Sequence, residues 1–105
     1  MVSIDEIVER FAFEKNEQDM EAFELMKLGA QYIEEGDETK AFTYFKKAAD
    51  LGSTDALYYV SIFYRLGKGI TQDDAEYKRY LTLAAKTGHS KAANELSHLE
   101  KRLNL

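Results

Sequence analysis

Ala48-Ala49-Asp50-Leu51-Gly52-Ser53-Thr54-Asp55-Ala56 recurs 36 residues later as Ala84-Ala85-Lys86-Thr87-Gly88-His89-Ser90-Lys91-Ala92, with both alanine pairs, both glycines and both trailing alanines in register. A period of this size marks a helical repeat, in which each unit stacks on its neighbours to bury an apolar face that it cannot bury alone. Outward from this pair, the remaining 105-residue chain reads as helices separated by short glycine turns. The chain has no proline, which suits nearly continuous helix. Its length supports one domain with a single core.

A Ser3-x-x-Glu6 capping box opens a first short helix, with Ile4, Ile7, Val8 and Phe11 on one stripe. The polar interval from Asn16 to Asp19 is expected to end it. A second helix runs from about Met20 to Glu35, with Leu25, Leu28, Gly29 and Tyr32 on one face, and Gly36-Asp37 forms a turn. A third, from about Glu38 to Asp50, buries Ala41, Tyr44, Phe45 and Ala48. The fourth, from about Thr54 to Leu66, is apolar or aromatic nearly all round and is therefore central. After the loop from Gly67 to Gln72, a fifth helix from about Asp73 to Thr87 packs Tyr77, Tyr80, Leu81 and Ala84. Ser90 is placed to cap the last helix, which carries Ala92, Leu96, Leu99 and Leu103. The expectation is an all-α chain of about six helices.

The pattern of these helices resembles the SEL-one-like repeat family, a relative of the tetratricopeptide repeats. The resemblance rests on Leu28-Gly29, Tyr32, Gly36, Lys40-Ala41, Tyr44-Phe45, Ala48-Ala49 and Gly52 in one repeat. The next carries Ala56, Val60-Ser61, Tyr64, Gly67-Lys68-Gly69-Ile70, Asp73, Tyr80, Ala84-Ala85 and Gly88-His89. A third begins at Ala92 and Leu96-Ser97 and stops after one helix. The first repeat lacks the Gly-x-Gly loop, Val60-Ser61 replaces Leu-Gly, and Tyr77 stands where the pattern has alanine. The resemblance implies a short right-handed αα superhelix of two and a half repeats plus an N-terminal helix. Within a single domain over 1–105, its segments are 1–16, the repeats 20–52 and 53–88, and a capping helix over 89–105. Residues 1–16 match no repeat and are expected to cap the first one through Ile4, Ile7, Val8 and Phe11. Dimerisation is the other way to cover the ends of so short a solenoid.

In such repeats the first helix of each pair lines the concave side. Once packing positions are removed, Phe23, Met26, Ala30 and Ile33 remain on one such helix and Tyr58, Ile62 and Arg65 on the next. Aromatic, methionine and arginine side chains are enriched in interfaces. These residues are therefore the candidate groove for a peptide or helix of another protein. The resemblance implies a cytoplasmic, non-enzymatic adaptor or scaffold with no cofactor.

Net charge is −5 and unevenly spread: −9 over residues 1–38 and +4 over residues 39–105. The acidic half speaks against nucleic acid there. It also supports a rival reading, an immunity-type or phage-encoded inhibitor that covers a basic toxin or enzyme site with its acids. No apolar run is long enough to span a membrane, and Asp5, Glu6 and Glu9 stand where an export signal would be apolar. There is no cysteine, and His89 and His98 lack helical metal-ligand spacing, so no metal site is expected. Gly67-x-Gly69 lacks the features of a phosphate loop. The acid pairs Glu34-Glu35 and Asp73-Asp74 diverge on a helix, which leaves no paired general acid and base. The basic pairs Lys46-Lys47, Lys78-Arg79 and Lys101-Arg102 come with seven tyrosines, most of which helix packing already uses, so RNA is not the expected ligand.

Overall fold

The computed structural model describes residues 3–103. They form five helices: α1 (Ile4–Glu34), α2 (Glu38–Asp50), α3 (Thr54–Leu66), α4 (Asp74–Lys86) and α5 (Ser90–Leu103), with no strand among the described residues. Each helix packs chiefly on its predecessor and successor. Short turns between packed neighbours make them antiparallel. The Cα extents are 56 × 39 × 17 Å, so the thinnest dimension holds two layers of helices.

The repeat is visible in the caps. Asp37, Ser53, Asp73 and His89 each accept, through a side-chain atom, the backbone N–H three residues on, at Lys40, Ala56, Glu76 and Ala92. This satisfies donors that a helix start leaves open. Ser53 and His89 occupy the same repeat position, so the cap of α5 is His89 and not Ser90 as the sequence suggested. A histidine with an acceptor nitrogen does the work that serine does one repeat earlier.

The packing repeats as well. Tyr32 of α1 stacks on Tyr44 of α2 with centroids 5.4 Å apart, and Tyr64 of α3 stacks on Tyr80 of α4 at 5.7 Å. Gly29 and Ser61 are small buried residues on the first helix of each pair, and Phe45 and Leu81 are buried at matching positions of the helices that follow, with the Phe45 ring against Gly29. The larger ring accompanies the residue without a side chain. Ala48, Ala56, Ala84 and Ala92, all fully buried, let the helices approach closely. Tyr77, in the place of Ala41, is buried but reaches past the α3–α4 contact to line a cleft beside α5.

The sequence-based division of the N-terminus is corrected. The first two expected helices are one, and α1 runs without interruption through Asn16–Asp19. Those residues are polar but include no glycine or proline, and each added residue of a running helix gains a hydrogen bond. Side chains from Ser3 to Glu21, where described, are exposed, and Ala22 is the first buried residue of the chain. Ile4, Ile7 and Val8 are 78%, 57% and 58% exposed. Among the described residues they pack on no other helix and line none of the clefts. The side chain of Phe11, the fourth member of that expected stripe, and that of Leu103 lie outside the described residues.

Two glycines hold tight positions. Gly69 adopts φ +69°, and a Cβ there would run into the Glu38 carbonyl at the start of α2; at Gly29 a Cβ would stand 2.8 Å from the Phe45 ring. Gly69→Ala is therefore expected to cost about 2–4 kcal/mol through strain and backbone displacement. Gly29→Ala should cost about 1 kcal/mol net, since helix propensity offsets part of the overpacking. Thermal melting checks both. A Gly69→Ala midpoint within about 2 °C of the parent would contradict docking of this loop on α2.

Candidate partner-binding face

α3 is the central helix. It buries Ala56, Leu57, Val60, Ser61 and Phe63, and Tyr58, Tyr59, Ile62, Arg65 and Leu66 fall on its other side at helical spacing. Those residues join α1 and α5 in lining three adjoining clefts. The first, of about 280 Å³, is mostly apolar and is lined by Ile33, Gly36, Glu38, Tyr59, Ile62, Phe63, Leu66 and Lys68. The second, of about 630 Å³, is bounded by Thr54, Asp55, Tyr58, Tyr59, Ile62 and the turn from Gly88 to Lys91. The third, also about 630 Å³, lies among Tyr58, Arg65, Tyr77, Lys91, Asn94, Glu95, His98, Leu99 and Arg102. Tyr59 and Ile62 belong to the first two clefts, and Tyr58 and Lys91 to the last two. The three therefore adjoin in a row along this face, a track that is apolar at one end and rich in cations at the other.

His89 fixes the middle of the track. Its Nδ1 accepts from the Ala92 N–H at 3.1 Å, which places the ring proton on Nε2, 3.3 Å from Asp55 Oδ1. The ring stacks on Tyr58 with centroids 4.4 Å apart and planes 20° from parallel. One side chain thus starts α5 and sets the orientation of a cleft-lining tyrosine on α3. His89→Ala should cost about 1–2 kcal/mol from the lost cap and stack. His89→Ser should restore the larger part by restoring the cap. Urea denaturation checks the pair, and equal loss in both variants would contradict the capping role.

The cationic end holds one carboxylate. Glu95 Oε2 is closed off from solvent and accepts no hydrogen bond among the described residues. Burial raises the pKa values of the Tyr58 and Tyr77 phenols above the ordinary tyrosine value, and the negative charge of Glu95 raises them further. The Arg65 guanidinium lies 5.9 Å from the Tyr77 ring centroid and opposes part of that rise. Raised phenol pKa values mean that the fold favours the neutral forms. Their contribution is intact below the ordinary tyrosine range, about pH 10, and is lost as pH rises through the folded values. In an alkaline absorbance titration, Glu95→Gln should move the Tyr58 and Tyr77 midpoints downward. It should leave Tyr64 in place, whose raised value comes from burial, Tyr80 and Glu76. Unmoved Tyr58 and Tyr77 midpoints would contradict this placement of Glu95.

Of the residues nominated from sequence, Ile33, Tyr58, Ile62 and Arg65 lie along the track. Phe23, 61% exposed with the Lys27 ammonium 5.7 Å from its ring centroid, lines none of the three clefts, and neither does the exposed Ala30. Met26 is partly buried against the core, and its sulfur accepts from the Ser53 hydroxyl at 3.5 Å. Sequence reasoning missed Lys91, Glu95, His98 and Arg102. Their spacing of four, three and four residues puts them on one stripe of α5, a signal set aside when that helix was read only as a cap.

Comparison with known proteins bears on the same segments. The Sel1 repeat pattern matches residues 25–53 and 54–89. The chain belongs to the Sel1 repeat family, whose repeats generally mediate protein–protein interaction without catalysis. A 46-residue stretch is 46% identical to "DAP3-binding cell death enhancer 1" of Rattus norvegicus and equally to that of Mus musculus. That stretch is 44% of this chain and 9% of each relative, so the match covers under a tenth of their length.

Proposed function

We propose that this chain is a non-catalytic interaction module that holds a segment of another protein along the α1–α3–α5 face. The observation that carries this reading is the track of three adjoining clefts, which the chain's own described side chains leave open. Ile33, Tyr59 and Leu66, each 44–51% exposed, offer apolar contact at one end. Arg65, Lys91 and Arg102 offer charge at the other, against the single carboxylate of Glu95. The segment that fits is an extended strand or helix with apolar anchors followed by acidic residues. Family membership and a relative named for binding DAP3 support protein as the class of ligand.

A peptide-display selection on the full chain tests this reading. Selected peptides should carry apolar anchors and carboxylates. Ile62→Asp and Arg65→Glu should each weaken them by about tenfold or more, the loss expected at an interface hot spot, in variants whose circular dichroism is unchanged. Selected peptides that ignore both substitutions would place binding elsewhere.

A further inference from the structure

We infer that the N-terminal arm of one copy docks on the α1–α3–α5 face of a second copy, so that two chains exchange arms. The inference rests on the reading of that face as a docking surface, and adds an occupant that the sequence itself encodes.

The arm has the form of a helix built to be gripped. Ile4, Ile7, Val8 and Phe11 stand at positions i, i+3, i+4 and i+7, the spacing with which an amphipathic helix anchors in a groove. Eighteen residues on, at about five helical turns, come Ala22, Leu25, Met26 and Gly29. Ala22 and Gly29 are buried there and Leu25 and Met26 pack on the core. The arm thus repeats the phase of the face that α1 already uses. α2, at 13 residues, is far shorter than the 31-residue α1, and leaves Ile4, Ile7 and Val8 exposed, without a partner among the described residues. An isolated helical stretch of this length is marginal in water, so the stripe gains most by docking.

Charge selects the occupant. From Ser3 to Glu21 the arm carries seven carboxylates against Arg10 and Lys15, a net charge of −5, and none of them is drawn into an ion pair among the described residues. Two such arms repel each other. The track offers what the arm lacks: an apolar stretch at Ile33, Tyr59 and Leu66, continuing into a cleft edged by Arg65, Lys91 and Arg102. Each copy carries both halves of the contact, so reciprocal exchange closes a two-fold dimer.

Sedimentation equilibrium on the full chain tests this at low and high salt. The expected result is a concentration-dependent dimer that weakens as salt rises. Ile4→Ser with Val8→Ser, both at exposed positions, should leave the melting temperature unchanged at a dilution where the parent is monomeric and weaken the dimer about tenfold or more. Arg65→Glu with Lys91→Glu should do the same. Mixing that variant with Glu6→Lys, Glu9→Lys chains should restore association between the two. A chain that stays monomeric, or a dimer indifferent to both pairs of substitutions, overturns the inference. Peptides from the display selection that lose affinity with Arg65→Glu, on a parent chain that is monomeric, would overturn arm exchange while leaving the face as a partner site. A dimer that obeys the charge swap, with no peptide selected, would support exchange and remove the reading of the face as a site for other proteins.

Discussion

Phe45 joins three helices. Its ring closes on Gly29 of α1 at a distance that admits no side chain there, and lies 5.3 Å from the ring of Tyr59 and 5.5 Å from that of Phe63 on α3, centroid to centroid. The approach of α1 to α2 and the placement of α3 over both therefore depend on one aromatic and the glycine opposite it. From Phe63 the ring contacts continue to Phe42, from Phe42 to Tyr64 and from Tyr64 to Tyr80 on α4. Each such pair contributes about 0.5–1.5 kcal/mol beyond its buried area. The chain of contacts carries order from one repeat into the next. It lies mainly on the α2 and α4 side of α3 and reaches the open side through Tyr59 and Phe63, which also line the first cleft.

That division explains why the candidate face combines order with openness. Tyr58 and Ile62 sit on the helix with the most extensive burial on its far side, so their positions are set by the core although they are half-exposed. His89 extends the control to α5 by capping it while stacking on Tyr58. A preformed track of this kind loses less freedom on binding than a flexible loop would. Glu95 ties the cationic end of the face together, since its carboxylate acts on the phenols of both Tyr58 and Tyr77.

The repeat made most of this fold legible in the sequence. The alanine pairs and turn glycines carry a backbone requirement that few other residues meet, so α2 and α3 could be bounded from residues alone. The N-terminus was not legible, because the expected stop at Asn16–Asp19 was inferred from polarity, and polarity does not break a helix. The stripe of Ile4, Ile7 and Val8 was read correctly as apolar, but periodicity cannot say what an apolar stripe faces. The same limit applies to the site. Ile33, Tyr58, Ile62 and Arg65 follow from helix phase. Met26 packs partly on the core, where Ser53, remote in sequence, donates to its sulfur, and the α5 stripe of Lys91, Glu95, His98 and Arg102 became meaningful only beside Tyr77, whose length carries it past its own helix pair.

The packed unit begins at Ala22, and from Ile4 to Glu21 the described side chains of α1 are exposed and have no tertiary partner among the described residues. Hydrogen–deuterium exchange on the full chain, followed residue by residue at a dilution where it is monomeric, tests this most directly. Strong protection is expected in α2, α3 and α4 and along α1 from Ala22 onward, with fast exchange from Ile4 to about Asp19. Protection over Ile4 to Asp19 equal to that of α2 in the monomer would contradict it, since it would require the arm to pack on its own repeats.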